Sequence, residues 1–286
     1  MSLLGVILAG GRSRRFGSNK LLREVGGEPM VVRVARALVE AGAEEVVVST
    51  RRELASSLAS VLPRALLVLD REEECRGPAR GLLAVFDEIE ADAYLIAPGD
   101  APWLAAGPLS ALASLAASRG AEAASPLWAG GALEPLIAYA ERRAAERFSA
   151  LARARKGLCR PTDLHRAARR LLLAGTGLLS EDPRTFANVN RPEDLEDPKP
   201  RSELWRGVLE LSGRHSDLFS EASLALPEDP RRASELYSLE ASIYLGAGAR
   251  HLAYHALLDS SLLSTEARGG LLADLEREFG KEEGAC

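Results

Sequence analysis

Residues 3–20 read LLGVILAGGRSRRFGSNK, and this stretch decides the fold class. The apolar run 3–9 has the length and composition of a buried strand. It passes at once into Gly10-Gly11, three arginines, Gly17 and Lys20. Glycines in such a loop let backbone N–H groups close on phosphate oxygens, because no Cβ blocks the approach. Arg12, Arg14, Arg15 and Lys20 add the positive charge that a triphosphate requires. The loop is not a Walker A sequence, since Lys20 follows Ser18-Asn19 and precedes Leu21, where that motif needs Gly-Lys-Ser/Thr. Nor does Gly10-Gly11 followed by Gly17 spell the dinucleotide fingerprint G-x-G-x-x-G. The competing reading is a glycine turn whose arginines are merely solvated. A loop directly after the first strand of an α/β chain is the commoner place for a ligand.

Outward from this loop, strand and helix signals alternate. Residues 45–49, 65–69 and 93–97 read as further strands, with a short one at 123–125. Helical patterns fill 30–41, 53–61, 78–89 (proline at its start) and 108–118. Short, continuous apolar strands separated by helices predict an α/β fold with a mostly parallel sheet covered on both faces. Residues 141–155 and 162–173 then read as helices, and 186–189 as a short strand. The segment 196–202 has the prolines and charges of a linker. Beyond it, 203–213, 216–225, 231–246, 250–260 and 265–279 read as helices without a convincing repeat. The expected organisation is a ligand-binding domain over 1–196 and an all-helical appendage over 203–286.

The 286 residues are 47% hydrophobic and 27% charged, ordinary proportions for a globular chain that can hold two domains. No apolar run reaches the length of a membrane span, and the N-terminus has no signal-peptide pattern. Cys75, Cys159 and Cys286 are odd in number and scattered, which fits a reducing cytoplasm better than a disulfide framework. The net charge is −5, and no aromatic-studded basic stripe is present, which argues against nucleic acid as a partner. All of that −5 falls from residue 199 onward, while residues 141–170 carry a local +7. That basic stretch is either a solvated helix face, an anion site or a dock for the acidic C-terminal part. Glutamine is absent and only Asn19, Asn188 and Asn190 supply asparagine, a depletion that suggests a thermophilic or GC-rich source. One of the three sits in the glycine loop and two in FANVN, so these amides are candidate ligand contacts.

Four further segments fall where strands end, the place at which a parallel sheet gathers its site. They are Asp70, the run Arg76-Gly77-Pro78-Ala79-Arg80-Gly81, the run Pro98-Gly99-Asp100-Ala101-Pro102, and the pair Glu134-Pro135 with Asn188-Val189-Asn190. A carboxylate between glycine and proline after a buried strand makes Asp100 the strongest candidate for a magnesium ligand, with a helix cap as the alternative. Asp70 can accept from a base or ribose, or can simply end a strand. His251, His255 and Asp259 share one helix face, as a metal site or as a buried face.

In this order, LAGGRSRRFGSNK, Asp70, RGPARGL, PGDAPWL, GGALEPL and FANVNRPEDL resemble the molybdenum cofactor guanylyltransferases. These belong to the nucleotidyltransferases with a Rossmann-like, glycosyltransferase-A-type sheet. The resemblance covers about residues 3–196 and leaves the helical remainder out. It implies that Leu8, Ala9, Gly10, Gly11, Arg15 and Lys20 form the nucleotide loop, with Lys20 against the triphosphate. It implies that Asp70 and Gly77-Pro78 lie near the guanine nucleotide, that Asp100 holds Mg2+, and that Asn188 and Asn190 lie near metal and acceptor. Three departures stand out: Arg80 replaces a small residue, Gly99 a frequent cysteine, and Ser49-Thr50-Arg51-Arg52 an asparagine-containing segment thought to meet the base.

The activity so implied is transfer of GMP from GTP to the terminal phosphate of molybdopterin, with release of pyrophosphate. No general base is needed, because the attacking phosphate oxygen is already ionised. Arg15, Lys20 and Asp100 are the catalytic candidates. The rivals are cytidylyl transfer to molybdopterin, guanylyl transfer to adenosylcobinamide phosphate, and a non-catalytic nucleotide-binding scaffold. A protein partner or self-association through residues 203–286 is the role open to the appendage.

Overall fold

The computed structural model describes residues 2–11, 19–71, 75, 77–155, 158–263 and 270–283. Strand β1 (Leu3–Leu8) leads, after a 3-10 turn (Lys20–Leu22), to a small hairpin of β2 (Glu24–Val25) and β3 (Glu28–Pro29). Then follow α1 (Met30–Glu40), β4 (Glu45–Thr50), α2 (Arg52–Val61), β5 (Leu66–Leu69), α3 (Ala79–Glu88) and β6 (Ala93–Pro98). Next come α4 (Ala106–Arg119), β7 (Ala123–Leu127), β8 (Ala138–Glu141), α5 (Arg142–Ala154), α6 (Thr162–Ala167), β9 (Arg170–Gly175) and α7 (Thr176–Leu179). The chain closes with β10 (Val208–Ser212), α8 (Arg214–Ala225), α9 (Pro230–Ala247), α10 (Arg250–Leu263) and α11 (Gly270–Glu283).

Eight strands form one sheet in the order β10-β9-β7-β8-β6-β1-β4-β5. The neighbours β6-β1-β4-β5 are parallel, as is β7-β9, so the mostly parallel α/β reading holds. Alternate residues of β1 feed two cores: Leu4, Val6 and Leu8 on one face, Ile7 on the other. Helices α3, α5, α6 and α8–α10 pack on the first face, and α1 and α4 on the second, joined there by Leu275 and Phe279 of α11.

Several elements differ from the sequence reading. Strand β8 goes unannounced; it inserts antiparallel between β6 and β7. Residues 162–173 divide into α6 and β9, because the apolar run Leu171-Leu172-Leu173 is a buried interior strand, and periodicity alone does not separate that from a buried helix. Within 203–213 the alternation of Val208-Leu209-Glu210-Leu211-Ser212 makes an antiparallel edge strand on β9, where a helix was expected. Residues 183–186 form a 3-10 turn and lie outside the sheet, so the expected strand at 186–189 is absent there.

The cysteine reading is corrected too. Cys75 and Cys159 are joined in a disulfide with their Cα atoms 5.8 Å apart. They lie 84 residues apart in sequence, and packing of α3 on α5 brings their flanking segments together, which no spacing rule reveals. No helix among the described residues is long and apolar enough to cross a membrane.

Candidate functional site

Four parallel strands, β5, β4, β1 and β6, deliver their C-terminal ends to one edge of the sheet. Register does the placing: Leu8 lies opposite Ser49 on one side and Pro98 on the other. The pairing continues past the strands, with Ala9 N–H donating to Ser49 O (2.8 Å), Asp70 N–H to Thr50 O (2.9 Å) and Gly99 N–H to Leu8 O (3.0 Å). Gly10, Gly11, Ser49, Asp70 and Asp100 are thereby gathered from segments scattered over ninety residues.

Asp70 sits on the glycine turn. Ser49 Oγ donates to its Oδ1 at 2.5 Å, and a Cβ on Gly10 would fall 2.0 Å from its Oδ2, so a side chain at position 10 would displace the Asp70 carboxylate. Gly81 has a similar reason: a Cβ there would meet Ser49 Oγ at 2.5 Å. This glycine lets α3 approach β4, and no ligand is needed to account for it. Gly77 takes φ +60°, a left-handed turn that suits glycine, and Pro78 caps the start of α3.

Lys20 comes from the 3-10 turn, whose start is capped by the Asn19 side chain accepting from Leu21 N–H at 3.2 Å. Its Nζ donates to the Asp100 carboxylate and to Val189 O at 2.9 Å, while Val189 N–H donates to Asp100 O at 2.8 Å. Residues 187–190 therefore run beside Asp100, although not as a strand of the sheet. Asn188 Oδ1 and Asn19 Nδ2 are buried, without hydrogen-bond partners among the described residues. A buried polar atom left without a partner calls for one. Asn188 Oδ1 and the Asp100 carboxylate are hard oxygen donors, a set that suits a divalent cation sharing its shell with phosphate. No group of three or more His, Cys, Asp or Glu side chains among the described residues is placed to hold a metal by itself.

These parts fit one chemistry, an anionic phosphate chain laid over the glycine turn. Residues 5–171 match the family of the MobA-like NTP transferase domain. The chain belongs to that family, and it is a nucleotidyltransferase. It is 31% identical over 199 residues to a probable molybdenum cofactor guanylyltransferase of Pyrococcus horikoshii, covering 68% of this chain and 98% of that protein. A 112-residue stretch is 38% identical to the bifunctional protein GlmU of Carboxydothermus hydrogenoformans; the match covers 38% of this chain but only 24% of that longer protein. The solved structure of molybdopterin-guanine dinucleotide biosynthesis protein A from Archaeoglobus fulgidus superposes with a TM-score of 0.55 at 21% identity, covering 68% of this chain and 95% of that one, and shares the fold.

Among the other sequence candidates of the nucleotidyltransferase, Arg15, with Arg12, Arg14, Gly17 and Arg76, lies outside the described residues. Asn190 is exposed, and its N–H donates to Asp194 Oδ2 at 2.7 Å. The Glu134 carboxylate accepts from Trp128 Nε1 at 2.7 Å and lies 3.7 Å from Arg201 Nε; burial, the dominant influence, pushes its pKa up. His251 and His255 are buried on α10 with their rings tilted 42° to each other, and His251 stacks on Phe279 of α11. The Leu133 N–H donates to His251 Nδ1 (3.3 Å), so the His251 proton is on Nε2, facing His255 Nε2 at 3.2 Å. Asp259 belongs to a buried ion cluster. Sequence reasoning missed the parts played by Ser49 and Arg51. The one available signal was the unusual Ser49–Arg52 segment.

Proposed function

We propose that this nucleotidyltransferase transfers GMP from GTP to the terminal phosphate of molybdopterin, with Mg2+ as its metal. The observation that carries the reading is the contact of Lys20 with Asp100 at the strand edge that also holds Gly10-Gly11 and Asp70. The names of the relatives that cover nearly the whole 3–196 region support the acceptor.

In this mechanism an ionised oxygen of the acceptor phosphate attacks the α-phosphorus of GTP in line. A new P–O bond forms, the α–β bridging bond breaks, and its electron pair leaves with pyrophosphate. Asp100 and Asn188 would hold Mg2+, which supplies neutralisation of the charge developing on the phosphates. Lys20 has two partners at the edge, the Asp100 carboxylate and Val189 O. On nucleotide binding it moves from the carboxylate toward the leaving phosphates. Gly10 and Gly11 give backbone close approach, and Asp70, oriented by Ser49, accepts from base or ribose. Catalysis then rests on positioning and electrostatics, with no covalent enzyme intermediate.

The base-side segment favours a second reading. Ser49 is engaged with Asp70, and Arg51 with the glycine turn, so neither presents an amide to guanine. Cytidylyl transfer uses the same phosphate chemistry. Thermal shift with GTP, CTP, ATP and UTP, each with magnesium, decides: selective stabilisation by GTP is expected, selectivity for CTP moves the function to a cytidylyltransferase, and a response to none removes the nucleotide reading.

A further inference from the structure

We propose that Arg51 is the positioning residue of the glycine loop, holding the Gly10 peptide so that the Gly11 N–H is turned toward ligand phosphate. The inference rests on the nucleotide reading above. At the end of β4 two successive side chains grip three successive carbonyls. Thr50 Oγ1 donates to Ala9 O at 3.2 Å, Arg51 Nε to Gly10 O at 2.8 Å, and Arg51 Nη2 to Gly11 O at 3.4 Å. The guanidinium is planar, with its donors in a fixed fork, so one arginine can span two neighbouring carbonyls where an ammonium reaches one well.

A trans peptide is planar, with its C=O and N–H on opposite sides. Drawing the Gly10 carbonyl toward Arg51 therefore turns the Gly11 N–H away from β4. Among the described residues no peptide bond is cis, and none of them would lie within 4 Å of a Cβ built on Gly11. The guanidinium also polarises the peptides it holds, which strengthens their N–H groups as donors to an anion.

Local structure does not account for this arginine. It immediately precedes α2, at the positive end of the helix dipole, where a cation is disfavoured. Its ion-pair partner Glu53 is 67% exposed while the Arg51 side chain is only 18% exposed, so the pair does not explain the burial. Two carbonyls of the ligand loop do.

The test is titration of wild-type, Arg51→Ala and Arg51→Lys proteins with two probes, GTP with Mg2+ and pyrophosphate with Mg2+, alongside thermal melts. Arg51→Ala is expected to weaken both probes by the same factor, roughly tenfold, the scale of one charge-assisted hydrogen bond. Arg51→Lys should lose less, and free guanidinium at a non-denaturing concentration should restore pyrophosphate binding to Arg51→Ala. A well-folded Arg51→Ala that binds pyrophosphate like the wild type overturns the inference. So does weakened GTP with unchanged pyrophosphate, which would place Arg51 at the base. Should Arg51→Ala not fold, Arg51→Lys carries the same comparison. Wild-type protein that binds neither probe would sink the nucleotide reading and this inference with it.

Discussion

The molecule sets basic side chains against carboxylates in two places and treats them differently. At the strand edge Lys20 and Asp100 are one pair, partly open to water, beside asparagine amide atoms without partners among the described residues. Where the C-terminal helices meet α5 and α6, Arg155, Arg160 and Arg166 meet Asp163, Asp259 and Glu240. Arg166 takes Glu240 in a two-bond fork (2.8 and 2.6 Å) and reaches Asp163 and Asp259 at 2.9 and 2.6 Å. Its guanidinium lies 4.2 Å from the Phe219 ring centre. The first pair can exchange partners, as a site handling phosphate and metal must. The second is largely shut off from water, and its three positive and three negative charges balance within the cluster, so it specifies how the helices dock. A buried charge pair is therefore a poor guide to function; a pair open to water and able to change partners is the better one.

The sharpest way to break that comparison is to remove one carboxylate from each place. Asp100→Ala should lower pyrophosphate release by about a thousandfold or more, the scale of losing a main electrostatic stabiliser. Its stability should fall by only about 1–2 kcal/mol, because Lys20 keeps Val189 O as a partner. Normal turnover in folded Asp100→Ala protein, measured by pyrophosphate release, ends the catalytic assignment. Arg166→Met is the converse. It leaves Glu240 and Asp163 short of a buried partner and should cost about 3–5 kcal/mol in denaturant unfolding. Nucleotide affinity of the molecules that remain folded should stay unchanged. A variant within about 1 kcal/mol of the wild type would mean that the cluster does not hold the helices.

The two regions also differ in how far the sequence discloses them. The strand edge was legible because its parts are punctuated locally: a glycine pair after an apolar run, Asp100 between glycine and proline, and asparagines in a chain that has three. Lys20 was named for its charge; its contact with Asp100, 80 residues away, is tertiary. Arg51 stood out only as part of the Ser49–Arg52 departure on the base side, because carbonyls, its targets, carry no sequence signature. The ion cluster was visible only as a +7 stretch over 141–170 and an acidic C-terminal part, with docking among several readings. Burial is what selects that reading, and burial comes from β10 and the helices after it. That strand was hidden because a five-residue alternation inside an amphipathic stretch resembles a helical turn and a half.

The Cys75–Cys159 disulfide sharpens the comparison, since it ties the two regions together. Cys75 lies two residues before Gly77 on the ligand side, and Cys159 adjoins Arg160 of the ion cluster. Paired Cys75→Ser and Cys159→Ser substitutions should lower unfolding stability by about 2–4 kcal/mol. Nucleotide affinity should change by less than about threefold, within about 0.7 kcal/mol. A larger loss of affinity at intact fold would show that the regions are coupled through residues 75–78, and the division drawn above would have to be given up.

The smallest expected effect concerns acid. His215 of α8 donates from Nε2 to Ala168 O at 2.9 Å, because a carbonyl only accepts, and burial, the main cause, lowers its pKa from 6.5 to about 4. Between those values the unfolded chain takes up a proton that the folded protein refuses. The stability due to neutral His215 is complete above the unfolded value and is lost as pH falls toward the folded one. The slope is about 1.4 kcal/mol per pH unit. The carboxyl of Asp259, whose pKa the surrounding arginines hold well below the ordinary range despite burial, does not titrate in this window. His165 and His251, lowered to about 4 and about 3, add to the wild-type slope. His215→Gln keeps a side-chain N–H for Ala168 O and cannot titrate. Its loss of stability between pH 6.5 and 5.5 should be smaller than that of the wild type by about 1 kcal/mol, because the unfolded imidazole is already half protonated at pH 6.5. Denaturant curves at the two pH values measure this directly. Equal losses in both proteins would show that His215 takes up its proton without unfolding, so that the helix junction is wetter than its packing implies.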